Sequence, residues 1–243
     1  MYDPLQFASK LRALVTKGIR RRYYRLGRGG RWYGGIATAD CSGCPLRCIY
    51  CWSDYPRDHP QRAGRFYSPE EVFQSLVNCA QRRGYSQLRI SGNEPTLSPQ
   101  HLFAILEMVD ETGYRFILET NGILIDQEVA QALSRYRNLH VRVSFKGACP
   151  EEFSLLTEAI PSGFQLQMEG LKSLHQAGVS CHPAVMVSFS PEANLKNFRE
   201  ELSKVSPFLA QGMEEEHLIP YPHVLRRLGE RGIVLNGRIY QKA

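Results

Sequence analysis

The 243-residue sequence predicts an α/β fold, a parallel sheet with crossover helices. Three observations predict it. Past residue 34, short β-rich runs alternate with longer amphipathic stretches. Those stretches open on well-marked helix starts, with no linker or low-complexity segment between them. A content of 43% hydrophobic and 22% charged residues supplies the core of one large domain.

Six strands are expected near 35–40 (GIATAD), 86–91 (SQLRIS), 115–119 (RFILE), 139–145 (LHVRVSF), 182–188 (HPAVMVS) and 215–219 (EEHLI). Helix starts lie between them. Ser68-Pro69-Glu70-Glu71 offers an N-cap, a proline at the first helical position and a glutamate placed to close a capping box. Ser98-Pro99 and Ser190-Pro191 repeat the Ser-Pro start, and Asp126 is the expected cap of the helix holding Val129 and Leu133.

Residues 1–34 read as a basic, aromatic-containing N-terminal extension, and residues 35–243 as the core domain with a short C-terminal extension. Nine Lys or Arg and no acid lie between Lys10 and Arg31, interleaved with Tyr23 and Tyr24, in a chain of net charge +6. Such a segment can meet RNA or an acidic protein surface through residues 10–31, or it can be a solvated amphipathic extension. No apolar run approaches a membrane span or a secretory leader, so no membrane partner and a cytosolic location are expected. Seven cysteines, four of them within residues 41–51, make a poor disulfide framework and point to metal or redox chemistry.

Cys44, Cys48 and Cys51 have the spacing C-x3-C-x2-C. Three thiolates from one tight loop can ligate three irons of a 4Fe-4S cubane and leave the fourth iron open. Further motifs follow the ends of successive expected strands: Gly92-Asn93-Glu94-Pro95, Glu119-Thr120-Asn121-Gly122, Ser144-Phe145-Lys146-Gly147, the VSFS segment holding Ser188 and Ser190, and Pro220-Tyr221-Pro222-His223. In α/β barrels that rim is where sites assemble. Two other readings of the cysteines stay open. A zinc site on Cys41, Cys44, Cys48 and Cys51 would make the chain a zinc-stabilised RNA-binding module, although zinc ligand pairs are usually a dozen or more residues apart. A ferredoxin-type cluster would use Cys149-Pro150 as its distant ligand, against the spacing of the first three. Cys41, Cys79, Cys149 and Cys181 are too scattered to predict a second cluster.

The cysteine spacing, with Tyr50 before the third cysteine, resembles the signature of the radical S-adenosylmethionine (SAM) superfamily. The Gly92 segment resembles its Gly-Gly-Glu-Pro motif, with Asn93 in place of the second glycine. The Thr-Asn-Gly and Ser-Phe-Lys segments and the Pro-Tyr-Pro-His exit resemble the glycyl-radical activating enzymes, with Ser144 where those have aspartate. The run from TADCSGCPLRCIYCW to VRVSFKG is also similar to a group of small, mainly archaeal radical SAM proteins.

The resemblance implies a partial (β/α)6 radical SAM barrel, open on one side, with a 4Fe-4S cluster and SAM as cofactors. It implies that Cys44, Cys48 and Cys51 hold the cluster and that Tyr50, Gly92, Asn93, Glu94, Asn121, Ser144, Lys146 and His223 line the SAM site. One electron from flavodoxin or ferredoxin would cleave SAM to methionine and a 5′-deoxyadenosyl radical, which takes hydrogen from a protein or peptide substrate. An RNA-modifying or small-molecule radical enzyme is the alternative.

Overall fold

The computed structural model describes residues 1–233 and 235; the end of the expected C-terminal extension lies outside the described residues. Nine strands form one sheet: β1 (Thr16–Lys17), β2 (Arg20–Gly30), β3 (Ile36–Cys41), β4 (Arg65–Tyr67), β5 (Gln87–Gly92), β6 (Arg115–Thr120), β7 (Leu139–Phe145), β8 (Cys181–Met186) and β9 (Glu214–Glu216). Their order is β1-β2-β3-β5-β6-β7-β8-β9, with β4 paired to β2. The run from β3 to β9 is parallel throughout. It is the expected six-stranded half-barrel. No pairing among the described residues joins β9 to the N-terminal strands, so the sheet stays open.

The helices are α1 (Pro4–Val15), α2 (Asp54–Asp58), α3 (Pro69–Arg83), α4 (Pro99–Asp110), α5 (Gln127–Leu133), α6 (Pro150–Thr157), α7 (Ser162–Gln176), α8 (Glu192–Val205), α9 (Pro207–Gln211) and α10 (Pro222–Glu230). The Ser68 hydroxyl accepts from Glu71 N while the Glu71 carboxylate accepts from Ser68 N, the reciprocal cap expected at α3, worth about 1 kcal/mol. Asp126 accepts from Val129 N and starts α5. The Ser190 cap is a correction. Its hydroxyl donates to buried Glu152 at 2.5 Å, and α8 begins after Pro191 with no side-chain cap. A buried carboxylate needs that donor more than a helix end near solvent needs a cap.

The barrel strands alternate. In β7, Leu139, Val141, Val143 and Phe145 join the apolar core against the helices, while His140, Arg142 and Ser144 take the opposite face. That inner face carries a polar network. Arg89 donates to Thr38 and Glu119, Tyr33 donates to Glu119, Arg142 holds Glu214 through two nitrogens at 2.9 Å, and Ser144 donates to Glu216.

The N-terminal segment is built into this architecture, which corrects the expectation of a solvated extension. β2 pairs antiparallel with β3, and Arg21 and Tyr23 are buried. Arg25 and Arg28 both reach Asp40, a carboxylate with no exposed surface, at 3.0 and 2.8 Å. A buried carboxylate must be paired, and these two arginines supply its charge. Arg20 pairs with Glu71, Arg22 donates to Gly64 O, and Arg21 donates to Glu94 O. Much of the basic run therefore serves the fold.

Candidate active site

The loop after β3 carries the three cysteines, and residues far away in sequence tie it down. Tyr2 reaches it from the N-terminus: its hydroxyl accepts from Arg47 N at 2.9 Å and lies 3.0 Å from Pro45 O. Buried Arg57 donates to Cys48 O at 2.6 Å and is itself held by Asp58. From α10, Arg227 donates to Ile49 O, to Cys51 O and to Asp54. Charge-assisted bonds of this kind are the strong ones, and here they fix carbonyls inside the C-x3-C-x2-C loop.

The Gly92 turn braces the same loop from the next strand. Asn93 Oδ1 accepts from Gly43 N at 2.9 Å, while its Nδ2 donates to the Ser53 hydroxyl at 2.9 Å and to Ser53 O at 3.3 Å. A glycine in place of Asn93 would make none of these bonds. Gly92 has φ +91°, and a Cβ there would lie 2.9 Å from Asp40 Cβ and 3.0 Å from Cys41 O. Glu94 is 1% exposed. Its Oε1 accepts from Thr96 N, Thr96 Oγ1 and Thr120 Oγ1, and its Oε2 from Asn121 N. Through these bonds Glu94 holds the rim, and Asn93 holds the cysteine loop.

Glu94 thereby brings the third motif to the first. With its backbone held, Asn121 turns its side-chain Nδ2 to 3.6 Å from Cys44 Sγ. Lys146, from the end of β7, donates to Ser144 Oγ at 2.5 Å, and Ser144 donates on to Glu216. The Lys146 charge also acts on the Cys48 thiol. Tyr50 is buried and stacked on Phe189 at 5.3 Å, its hydroxyl near Cys48 without a hydrogen bond of regular geometry.

His223 lies elsewhere on the rim. Its Nε2 is 3.2 Å from Trp52 O, and its ring lines an open cleft of about 440 Å³ with Tyr24, Arg25, Trp52 and Tyr55. The structure therefore gathers Cys44, Cys48, Cys51, Tyr50 and Asn121, with Lys146 and Ser144 at the end of β7, and sets His223 against Trp52, the residue after Cys51. Ser188 is a structural residue whose hydroxyl accepts from Leu218 N, and His182 belongs to the inner-wall network through Glu214. Sequence reading missed Tyr2, Ser53, Arg57, Gln167 and Arg227. No local pattern announces them, because each acts on backbone groups distant in sequence.

Two of the three thiols stand where ionisation alone is costly. Burial pushes Cys48 up to about 11 against the pull of the Lys146 charge, and burial with the nearby Glu94 charge pushes Cys44 well above the ordinary thiol range. Thiolates form in such a place when a metal takes the charge. A mononuclear site asks its donors to converge on one point, and among the described residues no three His, Cys, Asp or Glu side chains do so. A cubane asks instead that each thiolate meet a different iron, which one buried and two half-buried cysteines spaced along one braced loop can supply. The donor set fits a 4Fe-4S cluster.

An open parallel half-barrel with three cysteines in the loop at the C-terminal end of β3 defines the class: an α/β-barrel iron–sulfur protein. The pattern described as the Radical SAM superfamily matches residues 40–202, and the chain belongs to that family, whose cofactors are a 4Fe-4S cluster and SAM and whose members need an electron donor. It is 37% identical over 86 residues to 7-carboxy-7-deazaguanine synthase of Methanothermobacter thermautotrophicus, covering 34% of this chain and 31% of the relative. It is 28% identical over 129 residues to the "Probable GTP 3′,8-cyclase" of Methanocaldococcus jannaschii, covering 53% of this chain and 42% of the relative. The chain thus spans less than half the length of either. Among solved structures, Streptococcus suis SuiB bound to its precursor peptide SuiA is similar in fold, with a TM-score of 0.59 and 12% identity over 98% of this chain and 52% of that one. No helix among the described residues is long and apolar enough to cross a membrane.

Proposed function

We propose that Cys44, Cys48 and Cys51 hold the cluster, that Asn121 and Lys146 contact SAM, and that the substrate is a protein or peptide segment covering the open side of the barrel. The observation that carries the site assignment is the Asn121 amide 3.6 Å from Cys44 Sγ, with Lys146 following the end of the neighbouring strand β7. When bound, the cluster would relay one electron from flavodoxin or ferredoxin to SAM, whose S–C5′ bond would break to give methionine and a hydrogen-abstracting 5′-deoxyadenosyl radical.

The chain's residues set the conditions. Lys146 offers a cation to the SAM carboxylate, with Ser144 and Glu216 fixing its direction. Arg57 holds the Cys48 carbonyl, and Arg227 the Cys51 carbonyl, in place. Tyr50 and Phe189 form an apolar wall beside Cys48 that keeps water from the reacting atoms. A half-barrel open along one side leaves the radical unshielded until something covers it. A peptide laid across that side does so, and the peptide-bound SuiB structure shows that a related fold accepts one.

A second reading, a small heterocyclic substrate, is favoured by the polar inner wall of Arg89, Glu119, Arg142 and Glu214, which suits a polar small molecule inside the barrel. The RNA reading has less support, since Arg21, Arg22, Arg25 and Arg28 are engaged within the protein, while Lys10, Arg12 and Lys17 stay exposed.

The test is anaerobic turnover with dithionite, measuring 5′-deoxyadenosine and the transfer of deuterium into it from labelled peptides or purine nucleotides. Peptide-dependent transfer supports the first reading, and nucleotide-dependent transfer alone replaces it with the second. Cluster-replete protein that yields no 5′-deoxyadenosine overturns both.

A further inference from the structure

We infer that Gln167 is the positioning residue that sets the spacing between the Asn121 amide and the Lys146 ammonium. The inference rests on the proposed reading that these two groups contact SAM. Gln167 lies on α7, a helix to which the motif pattern assigns no role, and it has no exposed surface.

The need for such a residue follows from the sheet. The last paired register between β6 and β7 is Thr120↔Val143. Asn121 and the Ser144–Lys146 segment stand beyond it, where no ladder bond joins the two chains. Gln167 takes over there. Its Nε2 donates to Asn121 O at 2.5 Å and to Ser144 O at 2.9 Å, and its Oε1 accepts from Lys146 N at 3.3 Å. Both amide hydrogens and the carbonyl are used, so this one side chain stitches together the ends of two strands.

Two neighbours turn the stitch into a clamp. Gly170, one turn along the same face of α7, lets the helix approach so closely that a Cβ there would lie 2.3 Å from Gly122 O. From the other side, Glu94 accepts from Asn121 N at 2.8 Å. The Asn121 backbone is thus held at its N–H by the turn after β5 and at its C=O by α7, leaving its side-chain amide a fixed direction toward Cys44. Lys146 shares the same anchor through its own N–H. A shift of α7 would move both groups relative to the cysteines, whereas Cys44, Cys48 and Cys51 are held by other residues.

The geometry therefore separates cluster retention from SAM binding. Gln167→Met keeps the side chain's volume and removes all three bonds, taking this partner from the Asn121 and Ser144 carbonyls and from the Lys146 N–H. Leu174→Ala, a core truncation on the same helix, controls for loss of stability alone. The measurements are iron and sulfide content, Tm, the SAM Kd by equilibrium dialysis of the reconstituted protein, and the change in the reduced cluster's EPR signal on adding SAM. We expect both variants to keep wild-type iron content and to lose Tm. Gln167→Met should raise the SAM Kd roughly tenfold or more and weaken the EPR change, while Leu174→Ala leaves both at wild-type values. Gly170→Ala, which pushes on the same turn with a single carbon, should raise the Kd in the same direction and serves where Gln167→Met does not fold. A wild-type Kd and EPR change in the Gln167→Met or Gly170→Ala protein would overturn the inference alone. Wild-type protein that keeps its cluster but neither binds SAM nor changes its EPR signal would overturn the underlying reading and the inference with it.

Discussion

Asn93 and Ser53 are joined twice, through the Ser53 hydroxyl at 2.9 Å and the Ser53 carbonyl at 3.3 Å, and Ser53 Oγ in turn lies 3.7 Å from Cys51 Sγ. The position at which this chain departs from the superfamily's glycine is thus a brace on the cluster loop. Asn93→Gly removes both bonds and the acceptor for Gly43 N, at a cost of about 2 kcal/mol. The protein should reconstitute with less iron per chain and lose its cluster faster in air, as followed by visible absorbance. Unchanged iron content and decay would remove the bracing role.

Cys44→Ala, Cys48→Ala and Cys51→Ala should each yield colourless protein after anaerobic reconstitution. Cys41→Ala should stay brown, because Cys41 is buried at the end of β3 and lies outside the C-x3-C-x2-C loop. Iron and zinc analysis of the four variants decides the matter. Equal loss of metal on mutating Cys41 would favour the four-cysteine zinc site.

Arg227 holds two loop carbonyls and Asp54 from the far end of the chain. Arg227→Met keeps the stem and removes these charge-assisted bonds, a loss of about 2 kcal/mol, lowering Tm by roughly 4–8 °C in a domain of this size. Calorimetry of the cluster-free protein measures it directly. A Tm within a degree of wild type would show that the loop holds its shape without α10.

Acid should unfold the protein partly through His101. Burial, helped by the Arg21 charge, lowers its pKa from 6.5 to about 4. The neutral ring donates from Nδ1 to Ile19 O at 2.8 Å and accepts at Nε2 from the Tyr23 hydroxyl at 3.0 Å. The unfolded chain takes up the proton near 6.5 while the folded ring refuses it until about 4. Stability is therefore lost as pH falls through that interval, by about 3 kcal/mol in all. Urea unfolding at pH 7, 5 and 4 should show the loss, and His101→Gln should flatten it. An equal pH slope in both proteins would assign the acid sensitivity to other groups.

The strands were legible because their signal is local. Alternation of Leu139, Val141 and Val143 with His140, Arg142 and Ser144 marks a half-buried strand whatever it packs against, and β7 has the expected bounds, Leu139–Phe145. β8 and β9 begin one residue before the expected strands and end two and three residues sooner. The place of the N-terminal run was not legible, for the opposite reason. Its arginines look solvated until Asp40 of β3 is placed against Arg25 and Arg28, a pairing that depends on the antiparallel register of β2.

The sequence by itself determined the chemistry: three thiols at C-x3-C-x2-C spacing, and the Asn121 and Lys146 motifs at the ends of successive strands. Local spacing and periodicity suffice for that. Only the tertiary structure decided which side chains face the reaction and which hold it in shape. Glu94, Asn93 and Gln167 meet backbone groups brought to them by folding, and a polar side chain's role depends on the partners that fill its donor and acceptor positions once it is buried.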